Sequence, residues 1–289
     1  LKSYYLPHVI SDNIVDPVAL LNFPLDLDNL FVAFSMSQWI HRKGFDALVK
    51  AFCMEFNNTP DAVLIIKTYI NAMNVSQFNM KTQSQHIQKE IIDIKKNVFK
   101  NGRPSDAKIV ALCNILPFKN ISWLYSKSDV FALATRGEGF GLTISEAIMH
   151  EKPVIVPNYG GHTDYVDPDN NFLIEGHDHP YIGDPTYDYD MNWYEPDIIS
   201  IRKQFREAYN LWKEEAPALK EMGIKSKKHV TAGGFDLDTI GHSFMNIIKE
   251  ETKTTFKTVK EEIRSYSKDS KKIEILKDAF VGQDCYILS

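Results

Sequence analysis

Two glutamates, Glu138 and Glu146, stand eight residues apart in the most specific chemical pattern of the chain. Glycine alternates with other residues around the first of them, at Gly137, Gly139 and Gly141. Such glycines let the backbone approach a ligand closely, because no side chain intervenes and positive φ costs them little. The residues from Leu142 onward are predicted to form a helix, whose first N–H groups and dipole favour a bound phosphate. Glu146, about one turn into that helix, could accept hydrogen bonds from a sugar diol, while Glu138 would face the group that the phosphate carries. This combination suits a nucleotide sugar.

Two other interpretations of this stretch remain open from spacing alone. A glutamate in the first turn of a helix interacts favourably with the helix dipole whatever the protein does, and a glycine loop between strand and helix is ordinary in α/β domains. The alternating glycines are also similar to the G-x-G of a dinucleotide-binding loop. Against a dinucleotide site, the pattern comes late in the sheet, and no acidic residue ends the following strand, which finishes at Pro157-Asn158.

Alternating strand and helix patterns must position these residues. Short apolar or β-branched runs predict strands at residues 31–34, 63–66, 108–112, 129–133, 154–156 and 172–174. Apolar residues at helical spacing predict helices at residues 45–56, 82–99 and 117–126, and another from residue 142. Strands separated by helices predict an α/β fold, a doubly wound, Rossmann-like parallel sheet whose ligands bind at the carboxyl ends of the strands.

The last third of the chain predicts mainly helix after a loop. Residues 176–195 lack periodicity, and we expect a long surface loop there. Its acidic and histidine residues (His177, Asp178, His179, Asp184, Asp188 and Asp190) match no metal-ligand spacing, so we interpret them as solvated. Helices are expected from about residue 196 to 219 and from 237 to 263. The predicted division is a linker or remnant at residues 1–29, a doubly wound domain at 30–213, and a helical extension and linker toward a further domain at 214–289.

Composition narrows the class of protein. The 289 residues are 44% hydrophobic, enough for a packed core, and the net charge of −5 comes without a long basic cluster. We therefore expect no binding to nucleic acid. The cysteines Cys53, Cys113 and Cys285 form no C-x-x-C pair and are expected to be reduced thiols. No apolar run approaches the roughly 20 residues of a membrane span. A cytoplasmic location is the default, with a peripheral membrane association open. The start at Leu1 suggests a piece of a longer protein.

The central stretch resembles a known family. Residues 138–146, EGFGLTISE, are similar to the E-x7-E motif of retaining nucleotide-sugar glycosyltransferases with the GT-B fold, of the group 1, family 4-like type. The flanking segments LYSKSDVFALAT and EAIMHEKPVIVPNYGGHTDYV agree with it, as does WYEP at residues 193–196. The likeness covers about residues 30–213 and implies the donor-binding, second half of that fold, with extra helices at the carboxyl end.

The resemblance assigns roles to individual residues. It implies that Glu138 hydrogen-bonds the donor sugar and that Lys43, in the segment SMSQWIHRKG, holds the diphosphate as the second catalytic residue. Glu146 would bind the ribose. The residues implied to contact the nucleotide sugar are Ser37, Gln38, Ile115, Leu116, Gly139, Phe140, Gly141, Leu142, Thr143 and Glu146.

One residue departs from the family pattern. Gln38 stands where the family usually has arginine, and a glutamine supplies no charge to a leaving diphosphate. Arg42 is a candidate to compensate for it. Stabilising the diphosphate with Lys43, backbone N–H groups and the helix terminus is electrostatic catalysis that needs no metal or other cofactor. Hydrolysis by the paired carboxylates is disfavoured, because Glu138 and Glu146 are expected on opposite sides of the diphosphate.

The length implies that a partner domain is missing. Only about thirty residues precede the first predicted strand, too few for the acceptor half of such an enzyme. We expect a retaining, metal-independent transfer of a hexosyl group from a UDP- or GDP-sugar to a glycan, lipid or protein, in polysaccharide or glycoconjugate synthesis. The alternative is a non-catalytic scaffold or nucleotide-binding domain of the same fold within a larger protein.

Overall fold

A computed structural model describes residues 3–11, 14–20, 23–70, 80–181, 191–214 and 216–252. The chain divides into two compact units. The larger spans Pro7–Ile240 and carries the sheet and the candidate site. Of the smaller unit, built from the two ends of the chain, the structure describes residues 3–6 and 241–252.

The larger unit is built on a six-stranded sheet. Its strands are β1 Phe31–Gln38, β2 Ala62–Tyr69, β3 Lys108–Leu112, β4 Val130–Ala132, β5 Val154–Pro157 and β6 Phe172–Ile174. They lie in the order β3-β2-β1-β4-β5-β6, and every pairing is parallel. From β1 the chain adds β2 and β3 on one side of the sheet and then β4, β5 and β6 on the other side. The strand order therefore reverses between β1 and β4, which is the topological switch point. The predicted doubly wound, Rossmann-like fold is confirmed.

Helices cover both faces of the sheet. They are α1 Phe45–Glu55, α2 Met80–Asn97, α3 Phe118–Lys127, α4 Leu142–Met149, α5 Ile198–Glu214, α6 Ala216–Ala232 and α7 Leu237–Thr252. One apolar cluster joins the sheet to α1, α2 and α5, and a second joins it to α3 and α4. The central strands are buried on both faces, which explains why they read as continuous apolar runs rather than alternating ones. The helices after residue 213 include the extra ones expected at the carboxyl end.

One expectation was wrong. Residues 176–195 were expected to be a loop, yet β7 Gly176–Pro180 and β8 Asn192–Pro196 pair as an antiparallel hairpin. All but the first residue of β7 are exposed, so no apolar alternation marks that strand. Its histidines therefore lie on a strand, while Asp184, Asp188 and Asp190 fall outside the described residues. The helix expected at 196–219 corresponds to α5 and the first residues of α6, with residue 215 between them outside the described residues.

The segment before β1 lies on the sheet domain. Ile10 and Leu27 are buried in the second apolar cluster, and the Ile10 N–H donates to the Phe235 carbonyl at 2.8 Å. Ser122 on α3 donates its hydroxyl to the Val15 carbonyl at 2.7 Å. None of the helices in the described ranges has both the length and the apolar character needed to cross a membrane.

Candidate functional site

The turn after β1 carries Lys43 to the end of β4. A short 3-10 turn, His41–Lys43, leads into Gly44, whose φ is +66°. A Cβ at Gly44 would lie 1.7 Å from the Ala134 carbonyl oxygen, so no other residue fits there without moving the backbone. This close approach places the Lys43 side chain against the loop that follows β4.

Lys43 and Glu138 pair with each other. The lysine ammonium donates to a Glu138 carboxylate oxygen, and the two side chains are 14% and 8% exposed. Desolvation lowers the pKa of Lys43, although the charge of Glu138 opposes that shift. The two side chains assigned to diphosphate and sugar therefore lie together, at the switch point of the sheet.

Arg42 also contacts the glycine loop, which we define as residues 137–141. Its guanidinium donates through Nη1 to the Gly137 carbonyl, while its buried Nε has no hydrogen-bond partner in the part of the chain that the structure describes. The backbone carbonyl of Arg42 accepts the Arg136 N–H at 2.7 Å. Arg42 thus holds the glycine loop next to the Lys43–Glu138 pair, and its Nε–H remains without a partner among the described residues.

The glycines of the loop serve different purposes. Gly141 has φ of +84° and begins α4, so its conformation favours glycine. Gly137 and Gly139 show no such φ, and a Cβ on either would meet no atom within 4 Å. Their value lies in the open surface that they present, since any side chain there would stand where a ligand could approach the backbone.

Gly161, in the turn after β5, packs against the glycine loop. Its N–H donates to the Glu138 carbonyl at 3.0 Å. A Cβ at Gly161 would lie 1.8 Å from the Gly139 carbonyl oxygen, which again excludes larger residues. The fully buried Tyr165 donates its hydroxyl to the carbonyls of Phe140 and Gly141, both at 2.8 Å. The loop is therefore held through its own backbone.

His162 is a structural residue of this turn. Its ring is fully buried, and Nε2 donates to the Pro157 carbonyl at 2.7 Å. Burial lowers its pKa, so the imidazole is neutral. A histidine after Gly160-Gly161 could contact a donor or form the turn, and for His162 the structure supports the turn-forming role.

Glu146 is oriented by Tyr125. The buried tyrosine hydroxyl lies 3.1 Å from a Glu146 carboxylate oxygen and from the Thr143 carbonyl. Glu146 itself is exposed at the surface of α4. Desolvation of its carboxyl group raises the pKa, and the tyrosine hydrogen bond partly offsets this. Thr143 lies beside Glu146 in the first turn, and Leu142 is 55% exposed.

The arginine before the loop was not predicted from the sequence. Arg136 is 3% exposed and forms paired hydrogen bonds with two carboxylates, Asp46 at 2.8 and 2.9 Å and Glu195 at 2.6 and 2.8 Å. Burial alone would lower the pKa of Arg136, but these two carboxylates outweigh it and raise the pKa. Arg136 also donates to the His41 carbonyl at 2.7 Å. It joins α1, the β1–α1 turn and β8 to the start of the glycine loop.

The other predicted contact residues lie at the same edge but farther apart. Ser37 and Gln38 end β1, half-buried, and Gln38 pairs with Tyr69 of β2. Ile115 is 88% exposed and Leu116 half-buried after β3, which β2 separates from β1. The structure therefore brings Lys43, Glu138 and the glycine loop together, sets Glu146 on the helix that follows the loop, and leaves the nucleobase candidates two strands away from β1. Within the described ranges, no group of three or more His, Cys, Asp or Glu side chains is arranged to bind a metal ion.

Comparisons with known proteins agree with this fold. The family model described as "Glycosyl transferases group 1" matches residues 23–182. Among solved structures, HepE of Anabaena, crystallised with UDP-glucose, is 17% identical with a TM-score of 0.54 and aligns with 78% of this chain and 50% of its own. Sucrose-phosphate synthase of Thermosynechococcus elongatus is 16% identical with a TM-score of 0.59, covering 86% and 53%. A glycosyltransferase of Rickettsia africae is 18% identical with a TM-score of 0.55, covering 79% and 49%.

These likenesses concern the fold, because every identity is low. The chain spans about half the length of the solved structures that it matches. No curated protein sequence is significantly similar to it.

Proposed function

Because the chain belongs to the group 1 glycosyltransferases, whose family model matches more than half of it, we propose that it binds a nucleotide-diphosphate sugar at the glycine loop and takes part in transferring the sugar to an acceptor with retention. The transfer is metal-independent in this proposal. The preceding half of the enzyme, outside this chain, would supply the acceptor pocket.

The Lys43–Glu138 pair is the observation that carries the proposal. A cation and a carboxylate, both largely buried, meet beside an open glycine backbone and a helix start at the switch point of a parallel sheet. Ligands of doubly wound sheets bind at such a point. A diphosphate would draw Lys43 away from Glu138, and the freed carboxylate would accept hydrogen bonds from the sugar hydroxyls.

The chemistry follows from charge. As the bond between the anomeric carbon and the diphosphate oxygen breaks, negative charge grows on the departing nucleoside diphosphate. In this proposal Lys43, the backbone N–H groups of the loop and the start of α4 would stabilise that charge as it develops, which would lower the barrier without a proton transfer to the leaving group. Glu146, steadied by the Tyr125 hydroxyl, would accept hydrogen bonds from the ribose.

The donor to test first is a uridine or guanosine diphosphate sugar. HepE of Anabaena was crystallised with UDP-glucose, and another structure of similar fold, from E. coli, holds UDP-2-fluoro glucose. Both donors carry a hexose. We extend this to a hexosyl donor for the present chain.

A non-catalytic scaffold is the second candidate. The observation that favours it is the combination of Gln38, which brings no charge to the end of β1, with Lys43 already neutralised by Glu138. A scaffold of this type would bind a nucleotide without releasing sugar from it.

Calorimetry with the intact chain tests binding. We expect UDP or GDP, and one of their hexose conjugates, to bind, and the Lys43→Ala and Glu146→Ala variants to bind at least 10-fold more weakly. Lys50→Ala, an exposed lysine on α1, is the matched control and should bind as the wild type does. Absence of binding by the wild type, or equal binding by Glu146→Ala, would reject the proposal. Release of free hexose or transfer to added sugar acceptors separates an enzyme from a scaffold.

A further inference from the structure

Lys67 is a mostly buried lysine without a counter-charge among the described residues. It lies in β2, is 9% exposed, and has no hydrogen bond or ion pair with any residue that the structure describes. Desolvation lowers its pKa. A largely buried lysine stem with an unpartnered ammonium loses hydration without gaining an ion pair, which costs stability unless a group outside the fold supplies the counter-charge.

The surrounding sequence offers no acidic partner either. From Ala62 to Lys89 the chain contains neither aspartate nor glutamate. Cys113, which follows β3, interacts electrostatically with Lys67, but burial raises the pKa of the Cys113 thiol, and a neutral thiol leaves the lysine charge uncompensated.

The position of Lys67 relates it to the glycine loop. Side chains alternate along β2, so Lys67 lies on the same face of the sheet as Ile65. Ile65 belongs to the second apolar cluster, which also contains Phe140. Parallel pairing places Lys67 beside Met36 of β1, and Gln38 follows two residues later on that same face. Since β1 lies between β2 and β4, Lys67 stands near the carboxyl edge where the glycine loop begins.

We propose that Lys67 supplies a positive charge to the phosphates of the bound nucleotide and thereby replaces the charge that Gln38 lacks. This inference rests on the proposed function. Gln38 and Lys67 occupy diagonal positions on neighbouring strands. A lysine on β2 can therefore contact the same phosphates that an arginine at position 38 of β1 would contact. The flexible lysine stem lets the ammonium follow the ligand.

The experiment compares nucleotides that differ in charge. The intact wild type, Lys67→Met, Lys67→Arg and the exposed-lysine control Lys50→Met are titrated with UDP, GDP and the uncharged nucleosides uridine and guanosine. Methionine keeps the length and flexibility of the stem and removes the charge. We expect Lys67→Met to bind the preferred diphosphate about 10-fold more weakly, with nucleoside affinity unchanged, and Lys67→Arg to recover most of the loss.

Melting of the ligand-free proteins provides a second measurement. Lys67→Met should unfold at the wild-type temperature or above it, because it removes an unpaired buried charge. Equal diphosphate affinity in Lys67→Met and the wild type would overturn the inference and leave the proposed function intact. An equal loss for diphosphate and nucleoside would also overturn it, since Lys67 would then shape the base pocket. A wild type that binds no diphosphate rejects both proposals.

Discussion

The Lys43 ammonium and the Glu138 carboxylate, assigned to the diphosphate and the sugar of the same ligand, pair with each other. In the proposed binding mode, each would give up the other when a nucleotide sugar binds. The pair therefore keeps a buried lysine and a buried glutamate from standing alone, and it makes binding an exchange of one ionic contact for another.

The Glu138→Gln variant tests this exchange. Glutamine removes the charge that competes for Lys43 and repels a diphosphate, so we expect free UDP or GDP to bind about 5-fold more tightly, equivalent to about 1 kcal/mol. The sugar conjugate should not gain in the same way, because it loses a carboxylate acceptor for its hydroxyls. Calorimetry on both ligands measures the ratio. Weaker diphosphate binding in the variant would contradict the exchange.

Replacement of Arg136 should loosen the whole site. Arg136→Met leaves Asp46 and Glu195 without their shared partner. These carboxylates are 51% and 31% exposed and can partly rehydrate, so we expect a loss of about 2 kcal/mol in the free energy of unfolding, below that of a fully buried pair. Urea denaturation measures it. The Lys50→Met control should lie within about 0.5 kcal/mol of the wild type.

Two glycines of the loop region should respond differently to alanine. Gly161→Ala forces a Cβ onto the Gly139 carbonyl oxygen, 1.8 Å away, and should destabilise the fold by about 2 to 3 kcal/mol. Gly139→Ala meets no atom within 4 Å. It should leave the unfolding free energy within about 0.5 kcal/mol of the wild type and weaken nucleotide-sugar binding. Normal binding by a stable Gly139→Ala protein would place the ligand elsewhere.

Asp129 should make stability depend on pH. Desolvation raises the pKa of Asp129 to about 6, and the Val32 N–H, 2.7 Å away, and Lys152 only partly offset this. The folded state then holds a proton more tightly than the unfolded state, whose aspartate pKa is about 3.9. This contribution to stability is fully present below about pH 4 and is lost as the pH rises through about 6.

The Asp129→Asn variant isolates that effect, because its amide oxygen can accept from Val32 and never ionises. Its melting temperature, relative to the wild type, should rise between pH 4 and 6 and stay constant above, by roughly 3 to 6 °C at pH 7.5. A constant difference from pH 4 to 8 would show that Asp129 keeps an ordinary pKa.

The sequence predicted the sheet well because buried parallel strands leave a strong local pattern. Each of the six runs is a short, mainly apolar or β-branched stretch, and all six became strands. The glycine loop was also predictable, since alternating glycines lie between a predicted strand and a predicted helix. The residue roles taken from the family resemblance stay predictions.

The parts that escaped prediction depend on distant partners. Arg136 meets Asp46 ninety residues earlier and Glu195 fifty-nine later, and no local pattern marks such pairs. Strand β7 is exposed along most of its length and carries no alternation. Lys67 is the one charged residue of the otherwise mainly apolar strand β2. That contrast is present in the sequence and could have marked the position as unusual.

The close glycine contacts on both sides of the site have a thermodynamic consequence. Gly44 contacts the Ala134 carbonyl just before the glycine loop, and Gly161 contacts the Gly139 carbonyl within it. Main chain therefore packs closely against main chain at both positions. The shape of the loop is therefore preorganised: the conformational entropy of ordering it is spent during folding rather than during ligand capture. A ligand that fits the preformed loop gains contacts without having to order the backbone. Substitutions in the surrounding side chains can therefore change the affinity while the loop conformation stays the same.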